Sequence, residues 1–225
     1  MEPSDLLERI RRCAIPAGPA ACRGTWLRQE GEMRFSPRRP WMPFKAEQWF
    51  DGRGIDFRWQ AWIRMAPLVS ARVVDSYEGG QGSLTAQLLG LVPVARSRGP
   101  ATDKGEAMRG MAELPWHPFG FCEAPPFRWE STAADKLRVT FDNGQTQAAV
   151  EFEVDDEGQV RGGAALSRPR IVGKSVVETA WSGTFREYKA FDGVRVPTLA
   201  EVAWHLPEGA FTYWRARVTD FRVLT

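Results

Sequence analysis

The sequence predicts a mainly β domain of the α+β class: a curved antiparallel sheet, half-barrel or barrel, with an N-terminal helix and one central helix covering a cavity. Three observations predict it. From Thr25 onward most of the chain alternates apolar and polar residues in short runs bounded by Gly, Pro, Asn and Asp, the signature of strands and turns. Only two stretches carry a helical period, one at the N-terminus and one near the middle. Ten Trp and thirteen Phe are a heavy aromatic load, which calls for either a large core or a cavity lined with rings.

Taken in order, the segment from Ser4 to Ile10 reads as a short amphipathic helix capped by Ser4 or Asp5, with Leu6, Leu7 and Ile10 on one face. Pro16 to Pro19 stop it. A first strand series follows at 25–29, 32–36, 44–50, 56–65, 69–77, 83–88 and 91–97. The central helix spans 103–114, where Asp103 and Glu106 have capping-box spacing and Ala107, Met108, Met111, Ala112 and Leu114 form an apolar stripe, and Pro115 and Pro118 then bend or end it. A second series runs through 127–130, 136–141, 146–154, 159–165, 179–188, 199–205 and 211–221. Within it, Asp142-Asn143-Gly144 and Asp155-Asp156-Glu157-Gly158 are hairpin turns, because these residues tolerate the positive φ of tight turns. All of this is read as a single domain over 1–225: helix and proline-rich lead-in at 1–22, strands at 23–98, helix and proline-rich corner at 103–121, strands at 126–225.

Composition excludes several function classes. A formal charge of +2 without long basic runs argues against nucleic acid as a partner. No stretch approaches the roughly 20 apolar residues of a membrane-crossing helix, and the acidic and basic residues of Met1 to Arg12 leave no secretory apolar run, so a cytoplasmic location is expected. Cys13, Cys22 and Cys122 lack metal or disulfide-framework spacing, and with only His117 and His205 present no metal site is expected. Phosphate-loop, GxGxxG, GxSxG, EF-hand and HExxH patterns are all missing, and Ser182 is read as lacking a nearby base; no cofactor is called for.

Two clusters could carry acid/base chemistry. Arg109, Glu113 and His117 recur at fours and would share a helix face if the helix survived Pro115, with Trp116 and Phe119 beside them. The bland alternative is an Arg–Glu surface pair and a histidine at the helix end. Asp75, Tyr77 and Glu78 precede Gly79-Gly80-Gln81-Gly82, with Asp75 and Tyr77 on one strand face. That glycine-rich stretch is most simply a hairpin turn. Alternation also divides Phe57, Trp59, Ala61 and Ile63 from Arg58, Gln60, Trp62 and Arg64, and one bulge would reverse such a division.

The ordered pieces Trp41-Met42-Pro43-Phe44-Lys45-Ala46-Glu47-Gln48, Phe57-Arg58-Trp59-Gln60-Ala61, Asp75-Ser76-Tyr77-Glu78-Gly79-Gly80-Gln81-Gly82, Arg109-Gly110-Met111-Ala112-Glu113-Leu114-Pro115-Trp116-His117-Pro118 and Asp192-Gly193-Val194-Arg195-Val196-Pro197 resemble a bacterial family that is a domain of unknown function. The likeness runs from about Gly31 to the C-terminus and implies no catalytic residues. More distantly, the strand succession is similar to the curved half-barrels of bacterial lipoprotein carriers, which implies acyl chains held against a helix-covered concave face.

Three readings of function stay open at this point, the plainest being a structural partner protein whose aromatics are all core. In one, an aromatic-lined cavity walled by Trp59, Trp62, Tyr77, Trp116, Phe119, Trp204 and Trp214 binds an apolar or amphipathic small molecule. In another, a cofactor-free cyclase, isomerase or hydrolase uses Asp75, Glu78, Arg109, Glu113 and His117 in the same cavity.

Overall fold

The computed structural model describes residues 3–18, 21–52, 54–122, 127–173 and 175–225. Among the described residues, thirteen antiparallel strands form one sheet: β1 (Gly24–Met33), β2 (Met42–Asp51), β3 (Phe57–Ala66), β4 (Val69–Glu78), β5 (Gln81–Leu88), β6 (Val92–Ser97), β7 (Phe127–Ala133), β8 (Lys136–Asp142), β9 (Gln147–Val154), β10 (Val160–Val172), β11 (Ser175–Phe191), β12 (Val194–Leu206) and β13 (Gly209–Leu224). Their order is β6-β5-β4-β3-β2-β1-β13-β12-β11-β10-β9-β8-β7. Each arm is a meander of hairpins, and the two arms join at the centre where β1 pairs with β13, from Gly24 opposite Leu224 to Met33 opposite Trp214. The sheet curves without closing, so the architecture is a half-barrel with β6 and β7 as its outer edges.

Side-chain alternation sets the two faces. On β3, Phe57, Trp59, Ala61 and Ile63 are buried whereas Arg58, Trp62 and Arg64 are exposed. β2 does the same with Phe44, Ala46, Gln48 and Phe50 inward. The expected turns close β8–β9 and β9–β10: Asn143 Oδ1 accepts the N–H groups of Gln145 and Thr146, and Asp155 Oδ1 accepts those of Glu157 and Gln159. Gly144 and Gly158 supply the left-handed backbone there, at φ 82° and 85°.

Helix α1 (Pro3–Ala14) packs against β7, β8 and β12 with Leu6, Leu7 and Ile10 buried. It starts before the expected cap, so Asp5 lies in its first turn, where a carboxylate favours the helix dipole. The Ser4 side chain and Pro19, named above as cap and stop, lie outside the described residues. Helix α2 (Pro100–Ala112) crosses the concave face and touches β4 and β5 on one arm and β9 and β10 on the other. Gly82 and Gly110 let it sit that close, since a Cβ on either would meet the carbonyl oxygen of Thr102 at 2.6 Å or of Ile55 at 2.5 Å.

Three expectations need correction. The segments 25–29 and 32–33 are the single strand β1, because Gly31 marks a close approach to the Arg215 carbonyl rather than a turn. That strand ends at Met33, so residues 34–36, expected to continue it, leave the sheet. The second strand series reaches further than its alternation showed: β10 runs on to Val172 past a bulge between Ala165 and Arg168, and β12 begins at Val194. The helix expected at 103–114 starts at Pro100 with Gly99 as its cap, a position that suits the fixed φ of proline. Asp103 therefore accepts the Gly82 N–H at 2.7 Å instead of capping, and Glu106 turns into the sheet. The proline-rich corner does end the helix, as expected: α2 stops at Ala112 and gives way to two 3₁₀ turns, Leu114–Trp116 and Pro118–Cys122, so the condition for Arg109, Glu113 and His117 to share a helix face is not met.

Candidate functional site

A cavity of about 410 Å³ lies between α2 and the concave face. Its aromatic wall comes from three adjacent strands: Trp181 on β11, Trp204 on β12, and Phe211, Tyr213 and Trp214 on β13. A bulge explains how two neighbours in sequence both face inward. Val202 pairs with Trp214 while Ala203 pairs with Thr212, so Tyr213 is the extra residue and alternation reverses across it. The rings then brace one another, with Trp204 and Tyr213 stacked at 5.8 Å and Trp181 Nε1 donating to the Tyr213 hydroxyl at 3.1 Å. At the inner end Trp116 stands edge-on to Phe185 and donates through Nε1 to the Pro197 carbonyl at 2.9 Å.

The polar side of the cavity is built around α2. Arg109 Nε donates to Glu113 Oε1 at 2.8 Å and its Nη1 donates to Asp75 Oδ2. The guanidinium also lies over the rings of Phe57 and Trp59, 4.9 and 5.1 Å from their centroids. Burial disfavours its charge, but Glu113 and Asp75 outweigh that and hold Arg109 firmly protonated, above its usual range. Glu113 is held from its other oxygen by Gln48 Nε2. One turn before Arg109, Glu106 is buried beside Asp75; burial and the neighbouring carboxylate push its pKa well above the usual carboxylate range, against the pull of Arg109 and Arg168. Among the described residues no three His, Cys, Asp or Glu side chains gather as a metal site, and no helix is long and apolar enough to cross a membrane.

Residues 8–216 match the model of DUF6544, a family of unknown function. The chain belongs to that family. None of the curated proteins is similar to it in sequence. Three solved structures share the fold of this DUF6544 chain at 10% identity each. The LolA-superfamily protein NE2245 of Nitrosomonas europaea matches with a TM-score of 0.55 over 100% of this chain and 94% of its own. A putative outer membrane lipoprotein-sorting protein domain of Vibrio parahaemolyticus has a TM-score of 0.54 over 99% and 94%. A DUF1329 family protein of Desulfovibrio piger has a TM-score of 0.54 over 98% and 91%.

In the DUF6544 chain the cavity brings together Asp75, Arg109, Glu113, Trp59, Trp116, Trp204 and Trp214. The other five residues singled out from sequence lie elsewhere. His117 is carried away by the 3₁₀ turns into the core, stacked on Phe50 at 5.2 Å with its Nδ1 3.0 Å from Thr25 Oγ1. Burial lowers its pKa to about 4, against a raising contact with the Gly52 backbone. Phe119 packs beside that imidazole at 6.2 Å. Tyr77 does share a face with Asp75, but it is buried against Phe141, and burial, with Asp56 and Asp103, pushes its pKa up to about 12. Glu78 is exposed where β4 meets the hairpin turn of Gly79 and Gly80, and Trp62 is 43% exposed on the convex face.

Sequence reasoning missed Glu106, read as half of a capping box, and Arg168, which lies in a stretch assigned no strand. It also passed over Trp181, although Thr179, Trp181 and Phe185 keep one alternation on β11 and are all buried. The reading of Ser182 is corrected as well: its hydroxyl lies 2.8 Å from His205 Nε2 across β11 and β12. That pair stands on the outer face of the sheet, away from the cavity, and among the described residues no carboxylate hydrogen-bonds the imidazole.

Proposed function

We propose that the protein binds an apolar or amphipathic small molecule in the cavity between α2 and strands β10 to β13. The observation that carries this reading is the cavity itself, whose 410 Å³ falls in the roughly 300–1,000 Å³ range of small-molecule sites and whose wall is a continuous set of mutually braced aromatic rings. Burying about 300 Å² of apolar ligand surface there would contribute on the order of 7 kcal/mol before the costs of association. The shared fold with a putative lipoprotein-sorting domain adds support by analogy.

Acid/base catalysis is the weaker reading on physical grounds. Arg109 engages both Asp75 and Glu113 in hydrogen-bonded ion pairs, which commits one oxygen of each carboxylate to a structural contact with α2 rather than to a substrate. The binding reading is tested with an environment-sensitive naphthylamine dye. The native protein is expected to bind it saturably at one site with enhanced emission, and Val202→Trp, which adds an indole to the cavity wall, is expected to weaken binding about tenfold or more. Equal binding by both proteins would place the dye outside the cavity and overturn the reading.

A further inference from the structure

The other cationic side chains that line the cavity are not matched as Arg109 is. Arg168 on β10 is only 8% exposed and lines the cavity, yet its Nε has no hydrogen-bond partner, and among the described residues no carboxylate lies within ion-pair distance of it. Its guanidinium rests on aromatic faces, 5.1 Å from the Trp181 centroid and 5.5 Å from that of Trp204. Arg170 and Arg34, also in the lining, are steadied by neutral oxygens, the Thr179 hydroxyl at 3.3 Å and the Thr212 carbonyl at 2.9 Å. A buried guanidinium is costly without an anionic or hydrogen-bonding partner, and cation–π contact alone offsets little of that cost. The cavity also presents Glu106, whose Oε2 is buried without a partner. Burial and the neighbouring Asp75 carboxylate raise its pKa, which favours the protonated form that can donate.

Register places these groups relative to the apolar wall. Arg168 pairs with Thr179 near the β10–β11 hairpin, and Trp181 and Phe185 follow on the same face of β11, progressively further from that hairpin. A ligand with its charged end at Arg168 therefore has its apolar body along Trp181, Trp204 and Tyr213 toward Phe185 and Ala200.

We propose that the molecule held in this cavity is an anionic amphiphile, whose oxyanion head, a carboxylate or a phosphate, is received by the guanidinium of Arg168, whose Nε lacks a hydrogen-bond partner. The proposal rests on the binding reading above and sharpens it. Planar bidentate recognition of an oxyanion is the chemistry for which arginine is suited over lysine.

The test is the binding of three probes with the same chain, hexadecanoate, hexadecanol and hexadecyltrimethylammonium, by isothermal titration below their aggregation limits. The native protein is expected to bind the acid about tenfold or more tighter than the alcohol, with the cation weakest. Arg168→Gln is expected to bring the acid down to the affinity of the alcohol and leave the alcohol within about twofold. Equal affinity for acid and alcohol in the native protein overturns the anionic head while leaving the binding reading standing. Failure of all three probes to bind overturns both. An acid preference that survives in a folded Arg168→Gln variant overturns the assignment to Arg168; if that variant does not fold, the acid-against-alcohol comparison in the native protein still decides.

Discussion

Replacing Arg109 with methionine is expected to destabilise the fold by about 3–5 kcal/mol in urea unfolding at neutral pH, because removing one member of a buried ionic cluster leaves its partners charged and uncompensated. Asp75 and Glu113 are the groups stranded, and both are largely shielded from water. The rings of Phe57 and Trp59 also lose the cation lying over them. Combining Arg109→Met with Asp75→Asn and Glu113→Gln is expected to recover much of the loss, since the penalty comes from unpaired charge rather than from a missing contact. Arg109→Lys is expected to recover little, because a single ammonium cannot bridge the two carboxylates as the forked guanidinium does. A loss below about 1 kcal/mol for Arg109→Met would mean that the cluster does not hold α2 to the sheet.

The second large effect is acid sensitivity through His117. Its folded pKa of about 4 lies below the ordinary 6.5, so between these values the unfolded chain takes up a proton that the folded core refuses. Stability from this residue is fully present above about pH 6.5 and is lost as the pH falls toward 4, by about 3 kcal/mol in all. Urea midpoints measured across that window should fall accordingly, and His117→Phe, which keeps a ring against Phe50, should remove most of the slope. Glu106 acts in the opposite sense. Its folded carboxyl keeps a proton that the unfolded chain loses, so its contribution declines as the pH rises above the ordinary carboxylate range. An unchanged acid slope in His117→Phe would contradict the placement of this imidazole in the core.

Much of the architecture was legible because it is local. The alternation of Phe57, Trp59, Ala61 and Ile63 identified β3 and its inner face, and Asp142 to Gly144 identified a hairpin through the chemistry of its own side chains. The candidate site was legible only in part because its decisive features are set by distant partners. Gly31 looks like turn punctuation until the carbonyl of Arg215, far along the chain, is seen against it. Tyr213 and Trp214 both face the cavity through a register shift against β12, which no pattern within β13 announces. Arg168 escaped notice because Pro169 beside it and the exposed Leu166 obscure the strand period, and the bulge after Ala165 then turns the guanidinium inward. His117 kept helical spacing with Arg109 and Glu113, yet Pro115 ended the helix and sent the imidazole to the opposite side of the corner.

The most direct test of a ligand-holding cavity is a nuclear Overhauser measurement between a bound acyl probe with protonated methylenes and the methyl groups of an otherwise deuterated protein. Contacts are expected from the chain of hexadecanoate to the methyls of Ala200, Val202 and Leu84, all of which line the cavity. Contacts confined to exposed tips such as Leu68 and Leu91, which are 99% and 81% accessible, would show adsorption to the surface and contradict the account.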